Sequence, residues 1–211
     1  MAKINTPNGS LTISGHPTEC PFCHSKITPT YIYGFYNVQS LDVLMLCPNN
    51  YCQKSFIGYY DKSYSSYVGK TTIGELVNKV FSEDITTISS AFVTIYNQAY
   101  SAEQQNLTEI CGVGYRKALE FLIKDYAILK YPDHTDKIEK KLLGVCINDY
   151  VDDSRIKTVA KRAAWLGNDE THYIRKWEGK NLQDLKKLIE LTVHWIEMET
   201  LTKSFETEMP E

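Results

Sequence analysis

Long apolar runs are missing from this chain. No uninterrupted apolar stretch approaches the roughly 18–20 residues that a helical membrane span needs, so no span is expected. The opening Met1–Gly9 segment lacks an apolar core of the secretory type, which predicts no export signal and a cytoplasmic location. An excess of one charge sign is missing too: 23 Lys and Arg stand against 26 Asp and Glu, for a net charge of -3. That balance supplies no overall field to draw the chain onto nucleic acid or anionic lipid. There is no Gly-rich phosphate loop, no Ser–His–Asp order and no zincin-type His pair. Gly112 and Gly114 fall inside a helical pattern with no strand before them, so they are not a nucleotide fingerprint. Internal repeats, low-complexity segments and long Pro/Gly/Ser linkers are also absent.

What is present divides into two textures. Residues 1–68 are rich in Cys, Pro, Gly, Asn, Ser and Tyr and lack helical periodicity. Tyr31–Tyr36, Leu41–Leu46 and Ser55–Tyr60 read as three short strands, by β-branched and aromatic content and by length. Residues 69–211 have sparse Gly and Pro and a helical period. Helices are expected over Ile88 to Tyr100 and over Leu107 to Lys130, the second with Leu119, Leu122, Ile123, Tyr126 and Leu129 on one stripe. Pro132 blocks continuation, and Asp133 or Thr135 opens a helix through Ile138, Leu142 and Leu143. Asp152 or Asp153 opens the next, which Gly167 is expected to end. Leu182 to Met198 marks the last long helix. The predicted fold class is therefore α+β: a small β module followed by an antiparallel all-α bundle of five or six helices.

Cysteine carries the strongest chemical signal. Cys20-Pro-Phe-Cys23 and Cys47-Pro-Asn-Asn-Tyr-Cys52 are two close pairs with 23 residues between them, long enough for a hairpin that returns the chain to one point. In a reducing compartment such pairs favour metal ligation over disulfides. Zinc takes tetrahedral thiolates at ~2.3 Å, which places paired sulfurs about 3.7 Å apart. Cys20, Cys23, Cys47 and Cys52 are thus the expected ligands of a structural zinc in a ribbon-like module. Four thiolates fill the coordination sphere and leave no position for a reacting water. His16 and His24 are spare donors, His24 being expected as an outer hydrogen-bond partner or a surface residue. Cys111 and Cys146 have no paired neighbour and read as core thiols.

Four segments of the second part occur in a telling order: Ile95–Ser101, Gly114–Leu122, Lys137–Leu142 and Leu166–His172. Over about residues 86 to 199 the chain resembles the bacterial domain-of-unknown-function family 4145, which often follows a zinc ribbon. That family is similar to HEPN domains, helical bundles that include metal-independent ribonucleases and non-catalytic members of toxin, antiviral and restriction systems. The resemblance implies Arg116, Glu120, Asn168 and His172 as candidate site residues. Read by their chemistry, Arg116 and Glu120 share a helix face, as do Asn168 and His172 if that stretch is helical. An Arg on phosphate with a His as acid or base could cleave RNA without metal. The same residues also fit structural roles: a helix-end cap at Asn168, a surface ion pair between Arg116 and Glu120, and a His172–Asn168 bond. The catalytic HEPN spacing, an Arg and a polar residue followed closely by His, occurs nowhere here; nine residues separate Arg162 from His172.

The residues predict a zinc-binding, non-catalytic binding or regulatory protein, with a protein partner or a second copy held through the bundle, and the resemblance implies a link to bacterial defence. The alternative is a HEPN-type ribonuclease, with RNA as its partner.

Overall fold

The computed structural model describes residues 1–210. The chain forms two compact units, Met1–Leu76 and a second beginning at Val77.

The first unit holds six strands: β1 (Ala2–Thr6), β2 (Gly9–Ile13), β3 (Thr30–Tyr36), β4 (Leu41–Leu46), β5 (Ser55–Tyr60) and β6 (Tyr67–Thr71). β1 and β2 make a two-stranded hairpin, and β3–β4–β5–β6 make an antiparallel meander. The three strands legible in the sequence are β3, β4 and β5. The others were not, and the boundary drawn from texture at 68/69 falls within β6. Alternation explains β4: Leu41, Val43 and Met45 point into the core while Asp42, Leu44 and Leu46 lie on the other face. Phe56 and Tyr60 do the same from β5. The hairpin covers this core with Ile4 and Ile13. β1 approaches β3 closely at Gly34, where an added Cβ would lie 2.7 Å from Ile4 Cδ1. The loop after β2 is tied to the loop before β6 by Ser14 N–H donating to Ser65 O (3.0 Å) and Tyr67 N–H donating to Ser14 O (2.9 Å).

The second unit is helical: α1 (Glu83–Ile88), α2 (Ser90–Gln104), α3 (Thr108–Lys130), α4 (Thr135–Lys140), α5 (Leu143–Tyr150), α6 (Ser154–Asp169) and α7 (Leu182–Glu208). Seven α-helices among the described residues replace the expected five or six: α1 matches no expected helix, and one expected helix is two. Lys141 takes an extended conformation (ψ 149°) and separates α4 from α5, which leaves Leu142 exposed. α3 is central and packs against α2, α5, α6 and α7. Its inward stripe is Tyr115, Leu119, Leu122, Ile123 and Tyr126, all buried. Leu129, expected on that stripe, is exposed, while Ala127 is buried. Asp153 caps α6 as expected, its carboxylate accepting from the N–H groups of Arg155 and Ile156. Gly167 does not end α6, which continues to Asp169. Asn181 and Asp184 form a capping box at the start of α7. Cys111 and Cys146 are both buried.

No helix is long and apolar enough to cross a membrane among the described residues.

Candidate metal centre

Two turns of matching shape bring the four thiols together. In the first, before β3, His24 N–H donates to Cys20 O (3.0 Å) and Cys20 N–H to Ser25 O (3.0 Å). In the second, between β4 and β5, Gln53 N–H donates to Asn49 O (3.0 Å) and Cys47 N–H to Lys54 O (3.0 Å). The residue after the second cysteine of each pair is left-handed, His24 at φ 55° and Gln53 at φ 48°. This conformation is unfavourable for residues with a Cβ, so the fold must hold both turns in place. The strands do so: Leu46 at the end of β4 pairs with Ser55 at the start of β5, and Thr30 at the start of β3 pairs with Leu46. One sheet end therefore carries both turns.

Cys20 Sγ lies 3.9 Å from Cys52 Sγ, and Cys23 Sγ lies 3.7 Å from Cys47 Sγ. All four sulfurs fall within 4.8 Å of one another, and no disulfide joins them. Cys20 and Cys47 are buried; Cys23 and Cys52 are half-buried. Donors surround the sulfurs as they would thiolates: Phe22 N–H reaches Cys20 Sγ (3.4 Å) and the Asn49 amide reaches Cys23 Sγ (3.8 Å). Hydrogen bonds from the Ser25 side chain and backbone hold the Cys23 thiol down at about 6. Burial pushes the Cys47 thiol up to about 12. A buried thiol of that kind ionises when a cation shares its site. The donor set, its separations and its second layer of hydrogen bonds fit a tetrahedral soft-ligand metal ion.

His24 stays outside the cluster. Its Nε2 lies 2.9 Å from Glu75 O, and its Nδ1 lies 3.7 Å from Glu19. Glu19 is itself held by Lys26 at 2.8 Å, which depresses its carboxyl. Asn49 was not singled out from the sequence. It occupies in the second turn the position Cys20 holds in the first, and it also donates to Ser25 Oγ (3.1 Å). The four-residue spacing within the second pair was the readable sign that this turn differs.

The polar cluster on the helices is only partly assembled. Arg116 on α3 donates from Nη1 to Glu120 (2.8 Å) and from Nε to Asn168 Oδ1 on α6 (3.1 Å). Glu120 also takes Lys124 at 2.8 Å. Burial raises the Glu120 carboxyl, but the bonds from Lys124 and Arg116 outweigh it and hold the group below its ordinary range. Asn168 does not cap a helix end; it lies within α6 and faces Arg116. His172 lies beyond the end of α6, so it does not share a helical face with Asn168. It is exposed and makes no hydrogen bond among the described residues. Arg116, Glu120 and Asn168 thus meet in an α3–α6 contact that leaves His172 out.

No family model, curated protein or solved structure matches the chain.

Proposed function

We propose that the chain is a zinc-stabilised, non-catalytic binding or regulatory protein, a ribbon-like module joined to a HEPN-like helical domain. One observation carries the metal reading: four thiols within 4.8 Å of one another, on two matched turns, with no fifth donor among them. Four thiolates saturate zinc, so its contribution is to folding. A unit of this size has a small core, and a structural ion offsets that shortage. Cytoplasmic placement suits unpaired thiols.

The likeness to the family-4145 domains rests on the four segments; the first two fall on α2 and α3, and the other two begin on α4 and α6 and run past their ends. A regulatory role in bacterial defence, with a protein partner or second copy on the helical surface, follows from that likeness. The non-catalytic reading is supported by the polar cluster: Arg116 is committed to Glu120 and Asn168, and the one nearby His in sequence stands apart from it.

Metal analysis of purified protein tests the first claim. About one zinc per chain is expected; iron with a visible charge-transfer band, or no metal, rejects it. Incubation of the protein with total RNA in EDTA tests the second. Intact RNA is expected, and cleavage abolished by His172→Ala would reinstate the ribonuclease.

A further inference from the structure

β3, β4 and β5 turn apolar side chains outward as well as inward. The inward set closes the core of the first unit. The outward set is Tyr33 and Phe35 on β3, Leu44 and Leu46 on β4, and Ile57 and Tyr59 on β5. None of these belongs to a hydrophobic core. Phe35 is 52% exposed and the others are half-buried. An antiparallel sheet with one face in water ordinarily places polar residues there. A contiguous apolar face edged by charge marks a surface that another molecule covers.

The strand register orders this face in rows. Phe35 pairs with Asp42, Asp42 with Tyr59 and Tyr59 with Lys70, so these residues share one row. Tyr33, Leu44 and Ile57 make the next. The ion pairs of this unit, Glu19 with Lys26 and Lys54 with Glu75, leave Asp42 and Lys70 without an opposite charge among the described residues. Asp42 accepts from the Ser40 hydroxyl (2.6 Å) and the Asn37 amide (2.9 Å), both neutral donors.

The rows are complementary to themselves. Two sheets stacked face to face lie about 10 Å apart with nearly aligned strands. A two-fold axis parallel to the strands, between β4 and β5, keeps each row at its own level and reverses the strand order. β4 then lies over β5 of the other copy, and β3 over β6. Leu44 meets the other copy's Ile57. Lys70 stands over the other copy's Phe35, beside its Asp42. A cation there gains from the ring face and from the carboxylate together, and the symmetry makes each contact twice.

We propose that the outer face of the β3–β6 meander is a two-fold interface between two copies of this chain, with Leu44 packed on Ile57 and Lys70 set between Phe35 and Asp42 across the axis. The contact lies wholly in the first unit and is separate from any contact of the helical surface. A second copy supplies the matching order of ring, anion and cation without further change. The four strands, about 4.8 Å apart and about 20 Å long, give a face of roughly 20 Å by 20 Å. That is at the low end of specific interfaces, so a dimer in the micromolar range is expected.

Sedimentation velocity of the full chain from about 1 μM to about 300 μM reads the equilibrium, and monomer–dimer exchange within that range is expected. Lys70→Glu weakens the dimer by about tenfold or more, because it sets a second anion beside Asp42 across the axis. Ile57→Lys weakens it at least as much. Metal content and far-UV circular dichroism, measured on both variants, stay as in the parent chain. Leu191→Lys, on an exposed position of α7, leaves the dimer unchanged. A metal-free chain that still dimerises, and loses the dimer in Lys70→Glu, supports this interface and rejects only the metal centre. A monomer across the whole range overturns the proposal. So does a dimer that Lys70→Glu leaves intact, or one that Leu191→Lys alone abolishes, which moves the second copy to the helices.

Discussion

Gly167 of α6 lies directly against Arg116 of α3: a Cβ at position 167 would come within 2.7 Å of Arg116 Cδ and 2.9 Å of its Cβ. Arg116 Cβ is fixed by its own backbone and cannot swing away. The absence of a side chain at 167 thus lets the two helices approach until Arg116 reaches Asn168.

Gly167→Ala should therefore force the helices apart and cost about 1–3 kcal/mol, the usual range for overpacking. Gly144, exposed on α5, has nothing within 4 Å of an added Cβ, so Gly144→Ala should be neutral or stabilise by up to about 1 kcal/mol. Thermal melts of the two variants side by side check the contrast; equal effects would refute the close approach.

Arg116 and His172 should behave differently when truncated. Arg116→Ala removes bonds to Glu120 and Asn168 and leaves Lys124 as the remaining partner of Glu120. A loss of about 1–3 kcal/mol is expected. His172→Ala should leave the denaturant midpoint unchanged within about 0.5 kcal/mol, since that side chain is exposed and unbonded.

Acid should weaken the α6 cap. Arg155 beside Asp153, with the N–H groups of Ile156 and Arg155, lowers its carboxyl from 3.8 to about 2. A carboxyl depressed on folding stabilises fully above its unfolded value, and the gain is lost as pH falls through the folded value. The loss therefore falls between about pH 4 and pH 2 and amounts to about 1 kcal/mol after solvent screening. Asp153→Asn keeps the cap and should lose this pH dependence, while Asp153→Ala should cost about 1 kcal/mol at neutral pH. Stability measured against pH for the three proteins decides.

Cys47→Ser removes a buried ligand. Zinc content should fall well below one per chain, and amide protection in β3–β6 should collapse. The helical signal should persist, because the core of the second unit contains none of the four ligands. Retained zinc at one per chain would show that Cys47 is not a ligand.

Much of the first unit was legible because its signals are local. β4 alternates Leu41, Val43 and Met45 against its neighbours, and the cysteine pairs announce themselves by spacing. β1 and β2 were missed although Pro7–Asn8–Gly9 supplies their turn, because five-residue strands with few β-branched apolar residues give little periodic signal. In the second unit the stripe of α3 was readable up to Tyr126. The break at Lys141 was not, because no Gly or Pro marks it. Gly167 misled for a physical reason: glycine ends helices by its freedom at positive φ, but here it serves by its lack of bulk.

By itself, then, the sequence determined which residues are chemically able to act: four thiols in two pairs, a helical stripe, a capping Asp153, and Arg116 and His172 in separate segments. Covalent spacing and side-chain type suffice for that, since both act over a few residues. Only the tertiary structure decided which of them meet. It joined the cysteine pairs at one sheet end, turned Arg116 toward Asn168 rather than His172, and set Trp177 on Trp165 through a buried Asp169. Such meetings depend on how closely whole elements pack, and close packing is set by the shape of every side chain between them.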